Sequence, residues 1–496
     1  MNFMKKLAKM MVLCTCILLV ALLFAACGTT TQQPTQGANQ TASSEPTAAP
    51  TDKPTLEKSY MKAGDTYRIL VWNTRVEDEP FTQEGIRGQI LNERADELKD
   101  LYDVTATYIV APGNWLFDAI ETSAAGTPIC DILHAGGSFA MLQLFGSGSY
   151  PGEVLVPLSQ YKEVAAFDDA RYWDVSAQEA GTFNGNQYFI VPQDVGFEAV
   201  ALNMATMFNK DLIKKGGYTE EQLYDWSDNG EWTFDKMREV AINCTDLDQD
   251  TYGLNVGQNA CTLLTMVTAN GGDFIRKEEV DGVMVDRFVG NSAKTIEAIQ
   301  YFVSMARDDK CVYLGGSPLQ DEENVNFVAN KYALMVTYIN RVPKIYKSME
   351  SDYGVLMPPK GPSADRYISD KNWFSPYCVM SNIPNVEGTI QAASIFLKAY
   401  MASDDPDNMA LLEAEAQAYR LDTRSINTLK KIPEASYATS YMVFNVLGIS
   451  GDSDFIGGVC YGHTLEFIDG TLSPQAYYES VVSAVNIAID TALALK

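Results

Sequence analysis

The sequence predicts an α/β protein built as two lobes, and three observations predict it. Strand-like and helix-like runs alternate from Tyr67 to His134 in the order β-α-β-α-β, the pattern of a mostly parallel sheet covered by helices. The same alternation returns after residue 290. The roughly 435 residues that follow the low-complexity N-terminal part exceed what one core accommodates, so two domains are expected.

Tyr67-Arg68-Ile69-Leu70-Val71-Trp72 reads as a buried strand ending at a polar loop. Around 85–100, Ile86, Ile90, Leu91 and Leu98 are interleaved with charged residues, which predicts an amphipathic helix. Val104 to Val110 is a second strand, 114–124 a second helix, and Ile129 to His134 a third strand ending at Gly136-Gly137. Farther on, Ile296, Ile299, Phe302, Val303 and Ala306 share one helical face within 292–307. Tyr332 to Ile339 is another apolar strand, and 387–401 carries Ile390, Ala393, Leu397 and Tyr400 in helical register. No repeat with a period of roughly 20–50 residues occurs, which argues against a solenoid. Ligands of parallel sheets bind outside the carboxyl ends of the strands. That rule points at Trp72-Asn73 and at His134 to Ser138.

The N-terminus carries Lys5, Lys6 and Lys9, then an apolar stretch from Met10 to Ala26. Leu22-Leu23-Phe24-Ala25-Ala26-Cys27-Gly28 resembles the bacterial lipoprotein cleavage signal. Charged start, short apolar core and small residues before the cut read as a secretory signal, shorter than the ~20 apolar residues of a membrane span. The resemblance implies a signal peptide at 1–26, lipid attachment at Cys27, and a protein anchored on the outer face of the cell membrane. Residues 28–59 are rich in Thr, Gln, Ser, Ala and Pro and nearly free of large apolar side chains. Such a segment cannot offset its chain entropy by burial, so a disordered linker is expected over 27–64.

The formal charge is −27, and losing the three signal lysines would take it to −30. That argues against nucleic acid and against electrostatic docking on anionic lipid. Six cysteines remain beyond Cys27, widely spaced and without a CxxC pair, and the only histidines are His134 and His463. This pattern excludes a zinc ribbon and makes a histidine-based metal site unfavoured; no metal or cofactor is expected. Asp246, Asp248 and Asp250 have the spacing of a calcium-loop start, but Thr251 and Gly257 stand where such a loop wants Gly and a bidentate acid. An acidic turn is expected there.

Several runs, taken in order, resemble the extracellular solute-binding proteins of ABC importers, specifically the carbohydrate-binding family. They are Gly126 to Leu133, Asn184 to Pro192, Met207-Phe208-Asn209-Lys210-Asp211-Leu212-Ile213, Trp232-Thr233-Phe234-Asp235, Ala269 to Gly272, Ala333 to Met335, and Tyr353 to Pro362. The resemblance covers roughly 65–400 and implies a type II periplasmic-binding-protein-like fold. Its two lobes are joined by hinge strands and close on a ligand. It places lobe 1 at 65–200 plus about 378–435, and lobe 2 at about 201–377 plus 436–496. Crossings are expected near Phe197–Phe208, near Phe374–Met380 and around 425–445. It further implies a carbohydrate ligand, permease subunits as partners, and a monomer.

A sugar site wants aromatic platforms for C–H faces and amides, carboxylates or Arg for hydroxyls. The candidates are Trp72 and Asn73, His134 and Ser138, Gln258 and Asn259, Tyr338 and Arg341, and Trp373. Trp115 and Trp232 are assigned to the core. No GxSxG elbow and no P-loop occurs, and no catalytic residue is proposed. A peptide or other small solute, a secreted glycosidase and an adhesion lipoprotein are the readings the residues leave open.

Overall fold

The structure is a computed structural model, and it describes residues 59–71, 86–109, 115–134, 151–257, 260–280, 282–315, 320–371, 373–439 and 458–493. The signal, Cys27 and the linker before residue 59 lie outside the described residues.

The first lobe opens with β1 (Thr66–Val71), α1 (Ile86–Tyr102), β2 (Thr105–Ile109), α2 (Trp115–Ala124) and β3 (Ile132–His134). The second supplies β4 (Met204–Asn209), α3 (Phe234–Asn243), β5 (Tyr252–Asn255), α4 (Cys261–Ala269), α5 (Ala293–Arg307), β6 (Val312–Tyr313), β7 (Tyr332–Tyr338) and β8 (Tyr353–Leu356). There follow β9 (Ser369–Lys371), β10 (Tyr377–Val379), α6 (Val386–Phe396), α7 (Pro406–Ala418), α8 (Thr423–Ala435), β11 (Ser436–Ala438) and α9 (Pro474–Ala492).

The first sheet has the order β10-β3-β1-β2. β1 is parallel to β2 and β3, and β10 runs antiparallel to β3. Register is set by burial: Ile69, Leu70 and Val71 are at most 2 % exposed, and a one-residue slip would exchange the two faces. Arg68 and Asp131 clamp the start of the β1–β3 ladder. The guanidinium donates to both carboxylate oxygens at 2.9 Å, and Arg68 N–H donates to the same group at 2.7 Å.

The second sheet has the order β6-β5-β7-β4-β8 and is mixed, with β6, β5 and β7 parallel and β4 antiparallel to both β7 and β8. α5 packs on α4 and the edge strand β6 through the apolar face legible in the sequence: Ile296, Ile299, Phe302, Val303 and Ala306 are all buried. Ser292 caps that helix through the Thr295 amide. α9 joins the same lobe, packing Tyr478 on Phe274 and Phe288.

Two expectations need correction. α6 ends at Phe396, not near 401, because the Arg94 guanidinium takes the carbonyls of Phe396, Lys398 and Ala399 and closes the helix. The stretch to 435, expected in lobe 1, divides. α6 packs on α1. α7 and α8 instead bury Leu412, Ile426, Leu429 and Ile432 with Met207, Met335, Tyr353 and Val355 of the second sheet. The Ser425 hydroxyl accepts the Val355 N–H at 2.9 Å and fixes α8 there. The chain therefore passes to the second sheet between α6 and α7, earlier than the 425–445 expected. The other two passages run from Ile190, which bridges Tyr377, into β4, and from β8 through β9 into β10.

Candidate ligand-binding cleft

β1 and β3 end at Val71 and His134, which are paired. Tyr377, the first residue of β10, pairs with His134 from the other side. Side chains of paired residues share one face, so the imidazole and phenol lie flat on each other, with centroids 4.0 Å apart and planes 8° from parallel. An aromatic pair thus sits at the carboxyl edge of the first sheet. Tyr377 was not among the sequence candidates; Tyr-Cys-Val-Met reads as an ordinary buried strand.

In the second lobe Tyr338 ends β7 and caps the short turn Ile339–Arg341. Arg341 is only 1 % exposed, and its guanidinium carbon lies 5.4 Å from the Tyr338 ring centroid. It supports that ring from inside the protein. Trp373 is half-buried between β9 and β10, next to Phe374, which packs edge-on against Phe189. Trp72, Asn73, Ser138, Gln258 and Asn259 lie outside the described residues. The last two are flanked by Gly257 and Ala260, both with positive φ (77° and 53°). An alanine held there, at the start of α4, is backbone strain of the kind that marks binding loops.

β9 and β11 pair in parallel at the junction of the lobes. Lys371 of β9 is buried and donates to Asp174 at 2.7 Å. Burial alone would push the Asp174 carboxyl up, but the Lys371 ammonium and the Ala177 and Ser176 amides hold it below the usual range. Burial likewise disfavours the Lys371 charge, and Asp174 with Asp194 reverses that, raising its pKa. Asn203 donates to the Ser369 carbonyl and the Ser436 hydroxyl, tying β9 to β11.

Beside Tyr377 opens a cavity of about 470 Å³. Gly88, Leu91 and Arg94 of α1 and residues 397–400 wall one side, Glu198, Leu411 and Glu415 the other, with Gln193 and Asp194 between. It therefore borders both lobes where the chain passes between them.

Among the described residues no cluster of three His, Cys, Asp or Glu is placed to hold a metal ion. Asp246 to Thr251 forms a tight turn closed by reciprocal backbone bonds, with Asp250 paired to Lys331 at 3.1 Å. The cysteines Cys130, Cys244, Cys261, Cys311, Cys378 and Cys460 are free and buried. Trp232 is fully buried, as assigned.

The family model for bacterial extracellular solute-binding proteins matches residues 83–432. The chain belongs to this family. Solved structures agree with the fold. An ABC substrate-binding protein from Listeria monocytogenes in complex with cycloalternan aligns at TM-score 0.53 and 17 % identity, over 86 % of this chain and 99 % of that one. The cyclic α-maltosyl-1,6-maltose binding protein of Arthrobacter globiformis aligns at 0.58 and 14 %, over 86 % and 98 %. UgpB of Mycobacterium tuberculosis with glycerophosphocholine aligns at 0.54 and 13 %, over 86 % and 99 %. No curated protein sequence matches. Among the described residues no helix is long and apolar enough to cross a membrane.

Proposed function

We propose that this solute-binding protein is the lipid-anchored receptor of an ABC importer. It takes a sugar or oligosaccharide between its lobes and hands the closed form to the membrane permease. The observation that carries the reading is the aromatic edge of the cleft: the His134–Tyr377 stack on one sheet and Tyr338 at the end of the other. Flat rings at strand ends suit the C–H faces of a pyranose. Proteins of the same fold support it, having been solved with cycloalternan, acarbose and maltotetraose. Cargo touching both lobes favours the closed state by population shift, with no chemistry required. Cys27 would carry the lipid and residues 28–59 the reach from the membrane.

The test is a thermal-shift screen of Lys58–Lys496 against mono- and oligosaccharides, peptides and polyamines. A saccharide that stabilises the fold is the expected result, and mass spectrometry should recover it intact. A hit confined to peptides or polyamines would keep the receptor and overturn the cargo. His134→Ala is expected to weaken binding of the hit saccharide about tenfold, through loss of the partly exposed ring that the buried Tyr377 backs. Isothermal titration measures it, and an unchanged Kd would remove His134 from the site.

A further inference from the structure

Two passages between the lobes can be followed bond by bond. Up to Gln193 the chain is held by the first lobe: the Val191 carbonyl accepts the Asp174 N–H at 2.9 Å, and the Gln193 N–H donates to the Tyr172 carbonyl at 2.9 Å. From Gly196 onward it is held by α7. The Gly196 N–H donates to Asn408 Oδ1 and the Phe197 N–H to Glu415 Oε2, both at 2.7 Å, and the Phe197 ring packs edge-on against Tyr419. Only Asp194 and Val195 lie between. In the return passage the Ser403 N–H donates to the Arg171 carbonyl at 2.8 Å, and Asp405 already caps α7 through the Asp407 amide. Only Asp404 lies between. Both passages thus leave the same first-lobe segment, 170–172, and reach the same helix. Asn408 joins them: its side chain accepts the Gly196 N–H and donates through Nδ2 to the Ser403 carbonyl at 3.3 Å.

We propose that these two passages turn about one pivot, at residues 194–195 and at Asp404, and that Asn408 is the pin that makes them turn together. The pivot takes its purpose from the reading that the lobes close over a cargo.

A hinge absorbs its change of φ and ψ in a few residues between bodies that stay rigid. The bonds on either side leave three residues to absorb it. Gly196 is shaped for the pin. Its φ of 64° lies in the left-handed region that favours glycine. An added Cβ would stand 2.5 Å from Glu415 Oε2 and 2.9 Å from Leu411 Cγ. Asn408 is 6 % exposed, so water does not take over its bonds when they break. Without the pin each passage swings by itself, and the lobes sample a wider range of angles. The cavity of about 470 Å³ lies between α1 and α7 beside this point and leaves the walls room to turn.

Double electron–electron resonance on the compact unit Lys58–Lys496, without cargo, tests this. Spin labels go on exposed positions of the two lobes, Glu97→Cys on α1 and Ile242→Cys on α3; the six native cysteines of this unit are buried. Asn408→Ala is expected to widen the inter-lobe distance distribution about 1.5-fold or more. Gly196→Ala pushes Glu415 and Leu411 off the passage from the other side and should widen it as well, so the test survives if one variant does not fold. A pair inside the second lobe, Ile242→Cys with Val325→Cys on the helix Gln320–Val328, should keep its distribution, which a merely loosened fold would not. Wild-type widths in both variants, or equal widening of the second-lobe pair, would overturn the proposal. The measurement needs no cargo, so its outcome is separate from that of the saccharide screen.

Discussion

Lys371→Met is expected to cost about 3–5 kcal/mol of folding stability at neutral pH, because it leaves the Asp174 carboxylate buried without its cation. Both side chains are nearly inaccessible, at 8 % and 12 %. Asp174 is doubly committed, since it also caps the helix Val175–Ala180 through the Ala177 amide. The pH dependence gives a second signature. Asp174 is held below its ordinary range, so its contribution is present above the unfolded pKa and lost as pH falls through the folded one. The deficit of the variant should therefore shrink as acid protonates the stranded carboxyl. Adding Asp174→Asn should restore part of the loss. Urea denaturation followed by circular dichroism measures all three, and a deficit below about 1 kcal/mol would show that water reaches the pair.

Gly253→Ala is the second large effect. Gly253 lies in β5, where α3 crosses so closely that an added Cβ would stand 1.9 Å from the Ala241 carbonyl oxygen. The obstacle is backbone. α3 cannot retreat, because Met237, Val240 and Ala241 on its inner face are fully buried and Thr233 caps its start. A loss of about 3 kcal/mol or more is expected, with β5 displaced at the end from which α4 departs. Saccharide affinity should fall with it. A stable variant of wild-type affinity would mean that helix and strand slide apart freely.

Elements whose burial follows a simple local pattern could be read directly. The periodic face of α5 and the mostly apolar strands β1 and β7 are examples, because local pattern and tertiary environment coincide there. What local pattern cannot show is which sheet an amphipathic helix will cover. α8 carries a strong apolar face and α7 a weak one, and only the fit of α8 to β8, with α7 packed on α8, assigns them to the second lobe. The end of α6 was hidden for the same reason: the register runs on to Tyr400, and Arg94 from another helix stops it. In the cleft, His134 and Tyr338 were legible as strand ends. Tyr377 was not, since its place beside His134 comes from pairing with a distant strand. Arg341 was named for its place after the strand around Met335, a contact position of the resembled family; it lies 1 % exposed with its guanidinium 5.4 Å from the Tyr338 ring centroid, an arrangement local pattern does not show.

The central claim, closure of two lobes over a cargo, is tested most directly by small-angle X-ray scattering of Lys58–Lys496 with and without saturating amounts of the saccharide found by thermal shift. A smaller radius of gyration with the sugar recovered intact is expected. Identical scattering curves at saturation, or hydrolysis of the sugar, would contradict it.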